Sequence, residues 1–297
     1  MAPLFRSQLY VPAKKPGMLQ NAPYMEADSV IIDLEDAIAL EEKDAARCLT
    51  AHALRTIDFG NVGRIVRVNA QDTEFFEADM ETIVPCAPDA IRLPKVERAE
   101  DLIAVDKLMS RLEKEAGLPD KTVKVHAMLE TALGVLNARE VAMAAPGRVT
   151  AISLGGQDLA ADMGILRTNE GTELLVGRCL VVLAARAARI MAFDTPFTDV
   201  DNTEGLLKES RFVVQIGFAG KAAIHPSQSK YIHMAFAPDA KSLKKAIAVV
   251  RGFKESQAKG LGVCVVNGKM VDKPVVEQSL SVIERAKLAG MEGVEDL

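Results

Sequence analysis

Ser29-Val-Ile-Ile-Asp-Leu-Glu-Asp-Ala-Ile38 opens as a short apolar run and closes on three carboxylates, Asp33, Glu35 and Asp36. Val30, Ile31 and Ile32 are β-branched and uninterrupted. That is the pattern of a strand buried on both faces, as in a parallel sheet covered by helices. The carboxylates then follow within four residues. Either they meet solvent and carry little meaning, or a site at the end of this strand needs concentrated negative charge.

The same unit recurs on both sides of this stretch. Short β-rich runs are expected at residues 8–11, 30–33, 64–68, 90–93, 124–129, 149–154, 190–193 and 220–224. Helical patterns separate them, near residues 18–25 and at 41–55, 75–83, 99–115, 132–138, 170–188, 204–216 and 227–235. Eight strands, each followed by a helix, predict an α/β chain closed as a (β/α)8 TIM barrel. A doubly wound open sheet alternates in a similar way. It would carry a glycine-rich fingerprint after the first strand, whereas the Gly155-Gly156 pair has other spacing and lies at the sixth. Residues 1–237 are therefore read as a barrel catalytic domain. Residues 238–297 are read as a C-terminal helical and hairpin extension, packing on the barrel or on a neighbouring subunit. Its helices are expected at 242–258 and 274–288, with a hairpin signal at Asn267-Gly268 between apolar runs.

Composition narrows the function classes. Hydrophobic residues make up 49%, charged residues 26%, and the net charge is −5, so no basic excess points to nucleic acid. Cys48, Cys86, Cys179 and Cys264 have neither metal-ligand nor redox spacing, which fits a reducing compartment. The first residues lack the apolar core of a signal peptide, and the apolar segment 179–193 is broken by Arg186 and Arg189. No membrane association and a cytoplasmic location are the expectations.

In a barrel of this type the active site forms at the C-terminal ends of the strands. The third expected strand carries Arg67, the fourth ends in Arg92-Leu-Pro-Lys95, and the fifth runs straight into Glu130. Asp158 follows the sixth, Asp194 the seventh and His225 the eighth. Plainer readings stand beside these. Asp33, Arg92 and Asp194 are as readily structural ion pairs or loop polar groups. Asp36 and Asp158 are possible helix caps, and His225 is favoured as a packed structural histidine. Glu130 resists such a reading, because it follows an apolar strand with no turn residue between. A buried carboxylate there needs a cation or donors to stay ionised. Glu130 and Asp158, on neighbouring strands, suit a divalent cation, and oxygen-only ligands favour Mg2+ or Mn2+ over Zn2+. The acidic cluster would then orient water and supply acid–base candidates in Glu35 and Asp36.

Seven motifs stand in order along the chain: Arg6-Ser-Gln-Leu-Tyr-Val-Pro12, Ile32-Asp-Leu-Glu-Asp-Ala-Ile38, Val66-Arg-Val-Asn69, Ile91-Arg-Leu-Pro-Lys95, Leu129-Glu-Thr131, Gly155-Gly-Gln-Asp-Leu-Ala-Ala-Asp-Met-Gly164 and Gly220-Lys-Ala-Ala-Ile-His-Pro226. Together they resemble the citrate lyase β-subunit-like branch of the HpcH/HpaI aldolase superfamily. The resemblance implies a TIM barrel and a magnesium-dependent lyase acting on a 3-hydroxyacyl thioester of the malyl-CoA or citramalyl-CoA type. It implies Glu130 and Asp158 as metal ligands and Arg67 as the active-site arginine. Lys95 and Lys221 are weighed as Schiff-base lysines and read instead as substrate-binding or ion-pairing cations. Gly268-Lys-Met-Val-Asp272 is similar to a segment that brings an aspartate, here Asp272, into a neighbouring subunit's site, and a homotrimer is implied. Two alternatives stay open. One is a citrate lyase β subunit acting on an acyl carrier protein thioester within a complex. The other is a non-catalytic binding protein on a lyase scaffold.

Overall fold

The computed structural model describes residues 5–258, 264–266 and 269–293. Its first unit, Met1–Ile232, is built on a closed barrel. The eight strands are β1 (Ser7–Pro12), β2 (Ser29–Asp33), β3 (Gly63–Arg67), β4 (Ala90–Leu93), β5 (Lys124–Leu129), β6 (Val149–Leu154), β7 (Met191–Asp194) and β8 (Gly220–Ala223). They run parallel in chain order, and β8 pairs with β1 to close the ring. β2 and β4 are buried at every position, as the unbroken apolar run predicts for strands with helices outside and a packed interior. The register aligns the polar strand ends. Asp33 pairs with Arg67, and Arg67 with Arg92. Leu129 pairs with Leu154, so Glu130 and Gly155 leave neighbouring strands together.

The outer helices follow from apolar spacing and end chemistry. Helix α4 (Ala99–Glu115) buries Leu102, Val105, Met109 and Leu112, one stripe at three- and four-residue steps. Asp101 starts it by accepting from the Arg98 and Glu97 N–H groups at 2.9 and 3.1 Å. Truncating Leu112 to alanine would cost roughly 2–5 kcal/mol. At the N-terminal ends of β5 and β6 the ring is tied by ions. Arg148 donates through both Nη atoms to Glu113, at 2.7 and 2.8 Å, and through Nε to Asp106 at 2.8 Å. Glu113 also accepts from the Val123 and Lys121 N–H groups, at 2.8 and 2.9 Å.

Several elements differ from the sequence expectation. The stretch 132–138 is two short helices, α5 (Ala132–Leu136) and α6 (Ala138–Met143), sharing Asn137 as their junction. Helix α7 (Gly156–Asp162) begins directly after β6, where two glycines had been read as a loop. Helix α8 (Leu175–Ala188) starts later than residue 170, because Gly171 turns left-handed at φ 64° and a single 3-10 turn follows.

The second unit is His233–Leu297, and the division falls within helix α10 (Pro226–Phe236) rather than at residue 238. It contains α11 (Ala240–Ala258), α12 (Lys273–Leu288) and the antiparallel pair β9 (Cys264–Val266) and β10 (Lys269–Val271). Its own apolar core includes Leu243, Val250, Phe253, Val276 and Ile283. The hairpin turn expected at Asn267-Gly268 lies outside the described residues. No described helix is long and apolar enough to cross a membrane.

Candidate active site

β2 and β3 end in a clamp. The Arg67 guanidinium donates from Nε and Nη2 to the two oxygens of Asp33, both at 2.7 Å. Its Nη1 lies 2.9 Å from Glu35 and donates to Asp36 at 3.0 Å. The pairing of Asp33 with Arg67 across the two strands makes this fork possible, because a planar guanidinium meets a facing carboxylate with two parallel bonds. The Tyr10 ring supports it, with the guanidinium carbon 5.0 Å from the ring centroid. Asp33 and Glu35 are buried, whereas the Asp36 side chain is 70% exposed, so Asp36 is the partner that can leave. Burial pushes the Glu35 carboxyl up to about 8; Arg67 pulls it back, and the charges of Asp36, Glu130 and Asp33 add to the rise. Among these three acids, the ion-pair reading of Asp33 and the acid–base reading of Glu35 are both compatible with the geometry.

Glu130 occupies the end of β5, buried. Its Oε1 accepts the Lys95 N–H at 2.6 Å, and its Oε2 is buried with no hydrogen-bond partner. A Cβ on Gly155 would fall 2.5 Å from that Oε2, so a glycine is required where β6 passes the carboxylate. Burial, then the charge of Asp158, push the Glu130 carboxyl up to about 7, against the Lys95 bond and Arg67. Asp158 lies in the first turn of α7, four residues after the end of β6, and lines the cavity at the mouth. It is not the cap of a helix starting at Leu159, because the helix already begins at Gly156. A buried carboxylate with an orphaned oxygen, its ionised form opposed by the charge of Asp158, fits a hard divalent cation: the cation's charge reverses the penalty and its coordination uses the oxygen. Among the described residues no group of three or more acids, histidines or cysteines is arranged to hold a metal ion by itself, so substrate oxygens and water would complete the shell.

The cavity holds about 590 Å³ and is lined by Tyr10, Asp33, Arg67, Gly155, Asp158 and Arg167 among others. Asp36, Arg92 and Asp194 also line it, whereas Glu35, Glu130, Lys95, Lys221 and His225 do not. Lys95 contributes its backbone N–H; its side chain is exposed and off the cavity wall, at a left-handed φ of 53°. Lys221 is fully buried, and its Nζ donates at 2.6 Å to Asp194, to Glu209 and to the Thr195 carbonyl. All three ammonium protons are thereby taken, and the structure does not bring this lysine to the wall. Asp194 belongs to the same network, gripped by Arg178 at 2.9 and 3.1 Å, as its structural reading anticipates. Arg92 is fully buried, donates to Gln8 and faces the Phe193 ring at 5.8 Å. His225 is a correction: it is exposed rather than packed, with Nδ1 bonded to the Ser227 hydroxyl at 2.7 Å. Asp272 caps α12 in the second unit, accepting the Val275 N–H at 3.3 Å. Sequence reading missed Tyr10, Thr195 and Arg167 on the wall. Arg167 follows a helix rather than a strand, so inspection of strand ends had no way to reach it.

A closed parallel barrel with acids and a clamped arginine at the C-terminal mouth of its strands has the architecture of an enzyme active site. The family model for HpcH/HpaI aldolase/citrate lyase matches residues 6–226, and the chain belongs to that family. It is 40% identical over 284 residues to citrate lyase subunit beta of Haemophilus influenzae, covering 96% of this chain and 97% of that one. It is 38% identical over 283 residues to a (3S)-malyl-CoA thioesterase of Cereibacter sphaeroides, covering 95% of each. Among solved structures, protein CitE of Mycobacterium tuberculosis, in complex with magnesium, acetoacetate and coenzyme A, superposes with a TM-score of 0.78. Its identity is 30%, over 97% of this chain and 100% of that one.

Proposed function

We propose that this chain cleaves a 3-hydroxyacyl-CoA thioester, of the malyl-CoA or citramalyl-CoA type, to an acyl-CoA and a 2-oxo acid. The observation that carries the reading is the buried, partnerless Oε2 of Glu130 beside Asp158, at a mouth that also holds Arg67. Magnesium at Glu130 and Asp158, with manganese as a substitute, would supply a Lewis acid for the carboxylate and hydroxyl carried on one substrate carbon. The chain's own groups do the rest. Glu35 or Asp36 takes the hydroxyl proton; Glu35, with its carboxyl near 8, is tuned for proton exchange close to neutral pH. The C–O bond becomes a carbonyl, the carbon–carbon bond breaks, and its electron pair passes to the acyl fragment as an enolate. Negative charge thus moves to the thioester oxygen. Arg67 meets it there through Nη1, the substrate oxygen replacing exposed Asp36, an interaction worth about 3–4 kcal/mol of barrier. Asp272 of a neighbouring copy, in a homotrimer, delivers the proton to the enolate carbon.

The test is an assay of the purified chain alone with magnesium and malyl-CoA, citramalyl-CoA or citryl-CoA, following both 2-oxo acid and free thiol. Release of oxo acid with intact acyl-CoA is the expected result. Free thiol without oxo acid would replace cleavage by thioester hydrolysis. Activity confined to an acyl carrier protein thioester with partner subunits would favour a citrate lyase β subunit, the reading that the likeness to the Haemophilus influenzae protein supports. Binding without turnover on any of these would favour a non-catalytic role.

A further inference from the structure

Arg167 sits on the wall of the same cavity, in the loop after α7, and the reaction above gives it no task. Its Nε and Nη1 are buried and have no hydrogen-bond partner. Its ion-pair partner is Glu173, 3.4 Å from Nε, and Glu173 already accepts from the Thr168 N–H at 2.9 Å and the Thr168 hydroxyl at 2.8 Å. Arg92 Nε, Arg178 Nη1 and Arg285 Nε are also buried and unmet, but among the described arginines only Arg167 has two such nitrogens. Arg67, Arg148 and Arg178 each hold a carboxylate with hydrogen bonds from two guanidinium nitrogens. Leaving a guanidinium donor unmet in a buried place is unfavourable, about 1–3 kcal/mol, unless an anion arrives to meet it.

The position of the head says which anion. A Cβ on Gly156 would lie 2.8 Å from Arg167 Nη1, 2.7 Å from Leu174 and 2.9 Å from the Thr195 methyl. The guanidinium is therefore packed against the first residue of α7, two residues before Asp158. The phosphates of a CoA or carrier-protein thioester are separated from the reacting carbon by the whole pantetheine arm. An exposed cation on the wall, such as Lys15, suits them better. A guanidinium packed against the helical turn that carries Asp158 faces the acyl head instead.

We infer that Arg167 binds a second carboxylate on the acyl group, and so selects thioesters whose cleavage releases a dicarboxylic 2-oxo acid. This rests on the lyase reading above and narrows its substrate, favouring the citryl type over the malyl and citramalyl types. Citryl thioesters, which release oxaloacetate, carry that extra carboxylate; malyl and citramalyl thioesters, which release glyoxylate and pyruvate, do not. A guanidinium against a carboxylate gives charge-assisted hydrogen bonds, which a methyl group or a hydrogen cannot replace.

The test is calorimetric binding of oxaloacetate and of pyruvate to the full chain with magnesium, for the wild type, Arg167→Gln and Arg167→Lys, with melting curves for each. The wild type is expected to bind oxaloacetate about 10- to 100-fold more tightly than pyruvate. The ratio should fall towards one in Arg167→Gln and lie between in Arg167→Lys, which keeps the charge and serves alone should the glutamine variant not fold. An undiminished ratio in the folded variants, or equal binding of both acids by the wild type, overturns the inference. Turnover is read separately with citryl-CoA and citramalyl-CoA. An Arg167-dependent preference for oxaloacetate without any cleavage would uphold the subsite and remove the lyase reading. Cleavage of citramalyl-CoA with no preference for oxaloacetate would do the reverse.

Discussion

At one end of the barrel Glu113 accepts four hydrogen bonds, two from Arg148 and two from backbone N–H groups. At the other end Glu130 accepts one, from Lys95, and keeps Oε2 without a partner. Both carboxylates are buried. The bonds from Arg148 and from the Val123 N–H outweigh burial and hold the Glu113 carboxyl below its ordinary range. Burial and the neighbouring Asp158 push that of Glu130 up to about 7. The same residue type is thus satisfied where the chain needs stability and left wanting where it needs a ligand. Satisfaction at the strand starts fixes the ring, and the unmet oxygen at the strand ends is held in readiness by that rigidity.

The contrast breaks most visibly at its satisfied end. Glu113→Ala leaves Arg148 without its two-point carboxylate partner, and a loss of about 3–5 kcal/mol in denaturant-unfolding stability is expected. A loss below 1 kcal/mol would remove the distinction between the two ends. At the mouth, Arg67→Ala should lower kcat by about 100- to 1,000-fold with magnesium affinity retained, measured by steady-state turnover and metal titration together. Near-normal turnover would take Arg67 out of the chemistry.

Gly155→Ala sharpens the comparison, because its new methyl would lie 2.5 Å from Glu130 Oε2. A stability cost of about 1–3 kcal/mol is expected, together with weakened metal binding, in a paired melting and titration experiment. Unchanged metal affinity would show that the glycine does not shape the carboxylate's place. The pH dependence tests the burial of Glu35 beside the same mouth. Glu35 titrates near 8 in the folded chain against an ordinary 4.5, so its ionised form is disfavoured by folding. The penalty is absent below about 4.5, builds as pH rises and is complete above about 8. Glu35→Gln should therefore raise the Tm at pH 9 relative to the wild type and change it little at pH 4. An equal shift at both values would contradict the cause assigned.

All eight strands were legible in the sequence, because each is a short apolar run between helical patterns. The ends moved by a residue or two where the apolar run and the hydrogen-bond ladder stop at different places, as at Val68 and Asp194. The start of helix α7 was hidden by Gly155 before it and Gly156 at its first position, poor helix formers that are needed here because Glu130 and Arg167 crowd their α-carbons. Side-chain ownership was less legible than position. The sequence places Lys221 at a strand end, but only three-dimensional packing shows Asp194 and Glu209 closing on it. It also cannot show that Arg67 is gripped by three acids rather than one, since that depends on the β2–β3 register and on the loop after β2 folding back.

The central claim is that Glu130 keeps an oxygen free for a divalent ion. Magnesium titration of the wild type against Glu130→Gln, by calorimetry on folded protein, tests it most directly. The account predicts a single site in the wild type that is lost in the variant, with the variant's melting temperature preserved or raised in the absence of metal. Equal magnesium affinity in the two proteins would contradict it.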